Sequence, residues 1–584
     1  MALVGFLCIS LAAAILGPRS ATADVQLSIP SSSSSKNVVA SNFLGISFEL
    51  SFMNEYFGND TDTIPQPMLN YLGEIRSRTG SNDVRVRVGG NSADASTYVP
   101  SQTSPMLVLT DPNANSNNQP VDYGPMLWEV MEKVSQEVNG VQYLIGVYVV
   151  SCLMLFLLCS SEVNFEKNSL LGLTLNSTNT NSIIAGDAAK TLGSHLDAML
   201  LGNEPDLYTA HGQRPNVQNY TVDDYIGEYS AALRGLSNTT AGNLTDGHNV
   251  AGPTVCCNWD LATLLEQGYL SNFTDVLKYI TLQHYPQNNC FGSYQYELVY
   301  YTQHGNLVDL AAWQKPGIDM ITSDTAVDAP RMLMSEFNSA SCGGIPGISD
   351  TFAVGSLWSI DYVLQLASVG YSAAYIHTRE QGISYNLVTP PNISEIDTGS
   401  WTTDPPFYAL VVTAEILNSS NGSMVVDLKV STDANATIGG YAVYDAANST
   451  ASRLVLFNYG SESLNITLTK TRSQSVLVKY LSASSLTEKY NIAWGEETFL
   501  GTTDGKPVSV NASHNWAYAN RNLDCASGCN ITVPGPSLAV VFLDTNTTSS
   551  DGPQQSASDA VAVVSRRSVV LALGIILMCM YAGV

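Results

Sequence analysis

Short apolar runs recur along the first 400 residues, nearly every one leading to a polar side chain: Phe43–Glu49, Val84–Gly89, Val141–Ile145 with its continuation, Ala198–Gly202, Val250–Val255, Tyr279–His284, Arg331–Ser335 and Ala373–His377. Helical or loop segments separate them, which is the pattern of a parallel sheet covered by helices. Eight strands over about 370 residues predict a (β/α)8 barrel. The runs end at Glu49, Asn91, Asn176, Glu204, His284, Glu336 and His377. Polar groups gathered at the C-terminal ends of barrel strands are where such a fold places its chemistry.

From about Val411 the texture changes to short alternating strands between Gly, Asn and Ser turns: Gly439–Tyr444, Arg453–Asn458, Ser463–Thr469, Ser475–Leu481 and Leu538–Leu543. This predicts a β-sandwich. The expected fold class is therefore α/β, a barrel over residues 24–410 followed by an all-β sandwich over 411–545. The early strand Val25–Ile29 precedes the barrel, so residues 24–35 are expected to pair into the sandwich. One run breaks the pattern. Residues 147–172 include Val147-Tyr148-Val149-Val150-Ser151-Cys152-Leu153-Met154-Leu155-Phe156-Leu157-Leu158-Cys159, too short for a span of about 20 residues. Removing the insert joins Val141–Gly146 to Leu173–Asn176, so it reads as a retained intron that interrupts the third strand.

The chain carries 51 Asp and Glu against 25 Lys and Arg, a formal charge of -26, which excludes nucleic acid as a partner and disfavours sulfated polyanions. Residues 1–23 read as a signal peptide, with an apolar run ahead of Ala21-Thr22-Ala23. Asn59, Asn219, Asn272, Asn392, Asn448 and Asn530 each open an Asn-x-Ser/Thr sequon, as expected of a secreted glycoprotein. Residues 546–565 form a Ser/Asp-rich linker and 566–584 an apolar tail, read as a GPI-attachment signal in preference to a retained membrane helix. The expected address is the cell surface. Cys256, Cys257, Cys290, Cys342, Cys525 and Cys529 form an even set suited to an oxidising compartment. Cys525 and Cys529 are placed to close a small loop, and the other pairings stay open. No Cys/His spacing suggests a metal, and no cofactor is expected.

Two of the strand ends carry the chemistry. Leu201-Gly202-Asn203-Glu204-Pro205 and Met334-Ser335-Glu336-Phe337 each bring a glutamate to the rim, and two carboxyl groups in unlike environments are what glycoside hydrolysis needs. Glu204 suits the acid/base and Glu336 the nucleophile. Arg85 and Arg87 share a face of their strand. Arg87 is expected to hold the nucleophile ionised, while Arg85 fits the barrel floor better. Tyr285, after His284, is placed to donate to Glu336 or to serve as a structural aromatic.

These residues carry a resemblance. The Asn203-Glu204-Pro205 and Glu336 contexts are similar to clan A glycoside hydrolases. Ser47-Phe48-Glu49, Arg87–Ser92, Leu201–Tyr208, Glu336–Ser339 with Cys342-Gly343-Gly344, Ser349–Ala353 and His377–Glu380 resemble glycoside hydrolase family 79, over roughly residues 25–545. The resemblance implies a retaining β-glycosidase, with Glu49, Asn203 and Asp94 holding sugar hydroxyls. Asn91, His284, Tyr285, Arg379 and Gly382 complete the candidate substrate contacts, with Arg379 equally suited to a buried ion pair. The implied substrate is a β-glucuronide-bearing glycan, cleaved by exo action. The loop Arg379-Glu380-Gln381-Gly382 has no tyrosine before Tyr385, a departure that bears on uronate specificity. A neutral β-glycoside is the alternative substrate, and a catalytically silent, wall-anchored carbohydrate-binding protein is the alternative class. Oligomeric state is not legible.

Overall fold

The computed structural model describes residues 24–543 apart from 148–176, 215–216, 325, 327, 397–398 and 470–474. The expected signal peptide, linker, anchor tail and Asn176 lie outside the described residues, as does the insert beyond Val147. Eight parallel strands close into a barrel: β1 (Leu44–Glu49), β2 (Val84–Gly89), β3 (Val141–Val147), β4 (Leu196–Leu201), β5 (Val250–Val255), β6 (Leu277–His284), β7 (Arg331–Phe337) and β8 (Tyr371–Thr378). Sequential strands are neighbours throughout, and β8 returns to β1.

Strand parity builds the interior. Leu144, Leu200, Tyr279, Leu333, Ala373 and Tyr375 pack together in the lumen. Their neighbours Met199, Ile280, Met332, Ala374 and Ile376 face the helices in the main core, as a period of two requires. The floor is polar: Arg85 bonds Asp197 at 3.2 Å, Lys278 bonds the same carboxylate at 2.7 Å, and Tyr279 donates to it at 3.1 Å. This is the structural role the sequence suggested for Arg85.

The described part of the third strand, Val141–Val147, pairs β2 on one side and β4 on the other. The carbonyl of Val147, the first residue of the insert, accepts from Gly202 N at 2.9 Å; the proposed continuation through 173–176 lies outside the described residues. The barrel runs past residue 410. Helix Pro405–Ile416 is continuous and buried on nearly every side, so a boundary at 410 cuts it; the domain turns over at Leu417. Two prolines start that helix, and the all-apolar stretch behind them resembles strand texture more than an amphipathic helix.

The C-terminal region is a sandwich. A large antiparallel sheet runs Ser423–Asp427, Ile438–Asp445, Ala451–Asn458, Ser537–Phe542, Ser475–Ala483 and Ile492–Trp494 in spatial order. Facing it, Asp24–Leu27 pairs in parallel with Leu464–Leu468, which pairs with Cys529–Val533. The early strand therefore joins the sandwich as expected. Leu454, Leu456, Ala539 and Val541 fill the space between the sheets. Alternate residues Val455, Phe457, Leu538 and Val540 pack on the barrel side, so the central strands are buried on both faces. Disulfides join Cys525 to Cys529, Cys290 to Cys342 and Cys256 to Cys257.

Candidate active site

The two glutamates meet at the C-terminal rim. Glu204 follows β4 in a left-handed conformation, φ 47°, just before Pro205, although a residue preceding proline favours extended backbone. Left-handed backbone is costly for a residue with a Cβ and tends to gather at functional sites. Glu336 reaches the lumen by another device. With Leu333 inward, parity alone would turn Glu336 outward alongside Met334. The register slips against both neighbours, at Leu282/Gln283 in β6 and between Met334 and Phe337 in β7, and an irregularity of this kind re-aims side chains.

Three groups hold Glu336. Arg87, with no solvent exposure, donates from Nη1 to its Oε2. Tyr285 Oη donates to Oε1 at 2.7 Å. His377 Nε2 lies 3.9 Å from Oε1 and 3.3 Å from Glu49 Oε2. Burial pushes the Glu336 carboxyl up, but His377, Arg87 and Tyr285 together outweigh it and hold the group down at about 2. The same Arg87 bonds Ser47 Oγ at 2.8 Å and, through Nη2, Asn203 Oδ1 at 2.7 Å, so one guanidinium ties β1 and β2 to both catalytic strand ends.

Glu204 sits in the opposite environment. Burial first, then the negative charge of Glu336 and of Asp206, push its carboxyl well above the ordinary glutamate range. Asp206 is itself fixed by three consecutive backbone amides, those of Cys256, Cys257 and Asn258, at 3.2, 2.7 and 2.7 Å. His211 Nδ1 approaches Glu204 Oε2 to 3.9 Å. One carboxyl is kept ionised and its neighbour neutral, the division of labour that acid/base chemistry with a carboxylate partner requires.

The predicted residues fall into three groups. Glu204, Glu336, Arg87, Tyr285 and Asn203 are brought together in one network. Glu49, Asn91 and Asp94 adjoin it: Asn91 Oδ1 accepts from Asn203 Nδ2 at 2.7 Å, Asp94 Oδ2 accepts from Asn203 N at 3.2 Å, and Glu49 Oε1 accepts from Ser92 N at 2.7 Å. Burial pushes the Asp94 carboxyl up to about 8 against the pull of Arg214. His284, Arg379 and Gly382 stand apart. The His284 ring stacks on Trp313 at 4.0 Å, because parity turns it away from the lumen that Gln283 and Tyr285 share. Burial lowers it to about 4. Arg379 is bound to Glu380 and Asn117, the ion-pair role. Gly382, at φ 85°, turns the loop after β8 with open space around its Cα.

Sequence reading passed over Gln283 and gave Ser47 and Tyr385 no role in the site. Gln283 is fully buried with Nε2 donating to Asn203 Oδ1 at 2.7 Å. Its signal was available: it lies four residues from lumenal Tyr279. Tyr385 comes close to the His377 ring, with centroids 6.0 Å apart. Among the described residues no group of three metal-ligating side chains is found.

Residues 440–540 match the glycosyl hydrolase family 79 C-terminal beta domain. The chain is 24% identical over 529 residues to a beta-glucuronidase of Neurospora crassa, covering 83% of each protein. Its fold is similar to that of a 4-O-α-L-rhamnosyl-β-D-glucuronidase from Fusarium oxysporum, with TM-score 0.66 and 19% identity over 89% of this chain and all of that one. A family 51 arabinofuranosidase from Xanthomonas axonopodis is more distant, at TM-score 0.55 and 11% identity over 89% of this chain and 99% of its own. A closed barrel bearing two opposed glutamates, followed by this sandwich, makes the chain a glycoside hydrolase related to glycoside hydrolase family 79.

Proposed function

We propose that the protein is a retaining exo-β-glucuronidase that releases glucuronic acid or its 4-O-methyl form from glycan side chains. The observation that carries the mechanism is the unlike protonation of Glu204 and Glu336 on one shared Arg87 network. Glu336 attacks the anomeric carbon as a carboxylate while Glu204 gives its proton to the departing glycosidic oxygen. Water then attacks the same carbon, Glu204 takes its proton, and the bond to Glu336 breaks. Arg87 and Tyr285 keep the nucleophile anionic and aimed. The Neurospora and Fusarium proteins, both glucuronidases by description, support the sugar.

A neutral β-glycoside is the second reading. Arg379, the cation nearest the loop that follows β8, is committed to Glu380 and Asn117, which leaves the uronate carboxylate to neutral donors there. We also propose a surface or secreted address, a reading supported by the sequon residues Asn219, Asn272, Asn392, Asn448 and Asn530, all exposed.

The test is release of aryl alcohol from an aryl β-D-glucuronide by the parent and by Glu336→Gln, with the first-formed anomer followed by NMR. Turnover with the β-anomer formed first, lost in the variant, supports the reading. A first-formed α-anomer overturns retention. Turnover of neutral aryl glycosides alone overturns the sugar, and silence on all of them leaves the carbohydrate-binding alternative.

A further inference from the structure

Gln283 lies at the centre of the catalytic network, and its side chain makes no contact with solvent. Its amide fits the site in two orientations. With the nitrogen toward Asn203 it donates to Oδ1 at 2.7 Å, but then oxygen faces Glu204 Oε1 and nitrogen faces Arg87 Nη2, like against like. Turned by half a rotation, Nε2 donates to Glu204 Oε1 at 3.0 Å and the amide oxygen accepts from Arg87 Nη2 at 3.0 Å. The turn gives up one bond between neutral amides and sets the Gln283 oxygen 2.7 Å from Asn203 Oδ1, acceptor against acceptor, in return for two contacts to ionisable partners, which are roughly twice as strong. Asn203 Oδ1 keeps its bond from Arg87 at 2.7 Å.

We propose that Gln283 is a positioning residue for the acid/base glutamate: its amide N–H occupies Oε1 of Glu204 and so reserves Oε2 for the proton that moves. The carbonyl oxygen of a carboxylic acid accepts an N–H better than its hydroxyl oxygen does, so this bond favours the acid proton on Oε2, on the His211 side of the carboxyl. During departure of the aglycone, the Oε2–H bond breaks as the leaving oxygen takes the proton. During hydrolysis of the glycosyl-enzyme, the proton returns from water to the same atom. Gln283 does not itself titrate, so it serves both half-reactions without change. Its oxygen, on Arg87, links the anion-holding cation to the acid. The inference rests on the assignment of Glu204 as acid/base made above.

The test compares Gln283→Met, which removes donor and acceptor at similar length, with Gln283→Glu, which keeps an acceptor toward Arg87 and puts an ionisable carboxyl in place of the donor. Each is assayed on an alkyl and on a dinitrophenyl β-glucuronide. Acid assistance matters for the poor leaving group and little for the good one, so kcat/KM should fall about 10- to 100-fold on the alkyl glycoside and less than about 3-fold on the dinitrophenyl one. The alkaline limb of the Gln283→Met pH profile should also move upward, because the Glu204 carboxylate has lost a donor. Equal losses on both substrates with an unmoved limb would overturn the proposal, as a merely structural role predicts. Gln283→Glu carries the comparison if the methionine variant does not fold. If the parent ignores glucuronides but turns over a neutral aryl glycoside, the sugar assignment has failed and the same comparison is run there. If it turns over none, the Glu204 carboxyl is titrated by 13C NMR of glutamate-labelled protein, assigned with Glu204→Gln. A higher midpoint in Gln283→Met supports the proposal, and an unchanged one defeats it.

Discussion

Glu336 owes its charge to neighbours on three separate strands, and each can be removed alone. Tyr285→Phe deletes a donor to a carboxylate, worth roughly 1.5–3 kcal/mol, so the acidic limb of the pH–rate profile should rise by about one unit or more. The sign follows from the site. In the proposed mechanism activity needs Glu336 ionised, and the limb marks where that fails; its carboxyl sits at about 2 in the intact network, and any lost partner moves the limb toward neutrality. The same mechanism assigns the alkaline limb to Glu204, whose ionisation would remove the acid, above the usual glutamate range. Glu204→Gln should lose about 10²- to 10⁴-fold on poor leaving groups and recover with azide on activated ones, since azide needs no general base. A uniform loss without azide recovery would reassign the acid.

At the scale of elements, the turn after β2 is the most sharply specified. Gly90 has φ 83°, and a Cβ there would lie 2.2 Å from Glu49 Oε2. Gly90→Ala should therefore strain the turn, by about 1 kcal/mol or more for the left-handed backbone alone, and also displace Glu49, which sits beside His377. Lowered melting temperature with a raised KM is the expected pair of readings. A change in neither would mean that the turn relaxes around the methyl group. The strand ends also show why pattern reading succeeds at one position and fails at its neighbour. Alternation is enough to send Arg87 and Tyr285 inward and His284 outward. It misplaces Glu336, because a register slip is written in the partner strands and not in the run Arg331–Phe337 itself.

The whole molecule is joined by a buried polar cluster between barrel and sandwich. Asp361, on helix Ser359–Val369, accepts from Tyr441 at 2.6 Å, from Tyr459 at 2.9 Å and from His304 Nδ1 at 3.1 Å. His304 Nε2 also lies 3.8 Å from Asp427. Burial lowers the His304 imidazole, but the two carboxylates outweigh it and raise the group to about 10. A raised folded value means its stabilisation is complete below the unfolded value of about 6.5 and fades as pH rises through about 10. Melting temperature should fall between pH 8 and 10.5 in the parent, and His304→Gln should flatten that slope while lowering stability at neutral pH. An unchanged slope would exclude this histidine as its source.

Sequence alone determined what local chemistry determines. Apolar runs with polar ends give eight barrel strands in order, alternation gives the sandwich, the early strand is read as joining it because it precedes the barrel, and the flanks of Glu204 and Glu336 single out the proposed catalytic pair with Arg87 and Tyr285 behind it. Cys525 and Cys529 could be paired by proximity in the chain. Tertiary structure decided whatever depends on groups far apart in sequence. It joined Cys290 to Cys342, carried the barrel domain to Leu417 by enclosing the largely apolar helix Pro405–Ile416, and turned Glu336 into the lumen by a slip of register. It also spent Arg379 on Asn117, a residue 262 positions away, and put Gln283 between Arg87 and Glu204. Such contacts are set by how strands and loops meet in space, and no local pattern encodes that meeting.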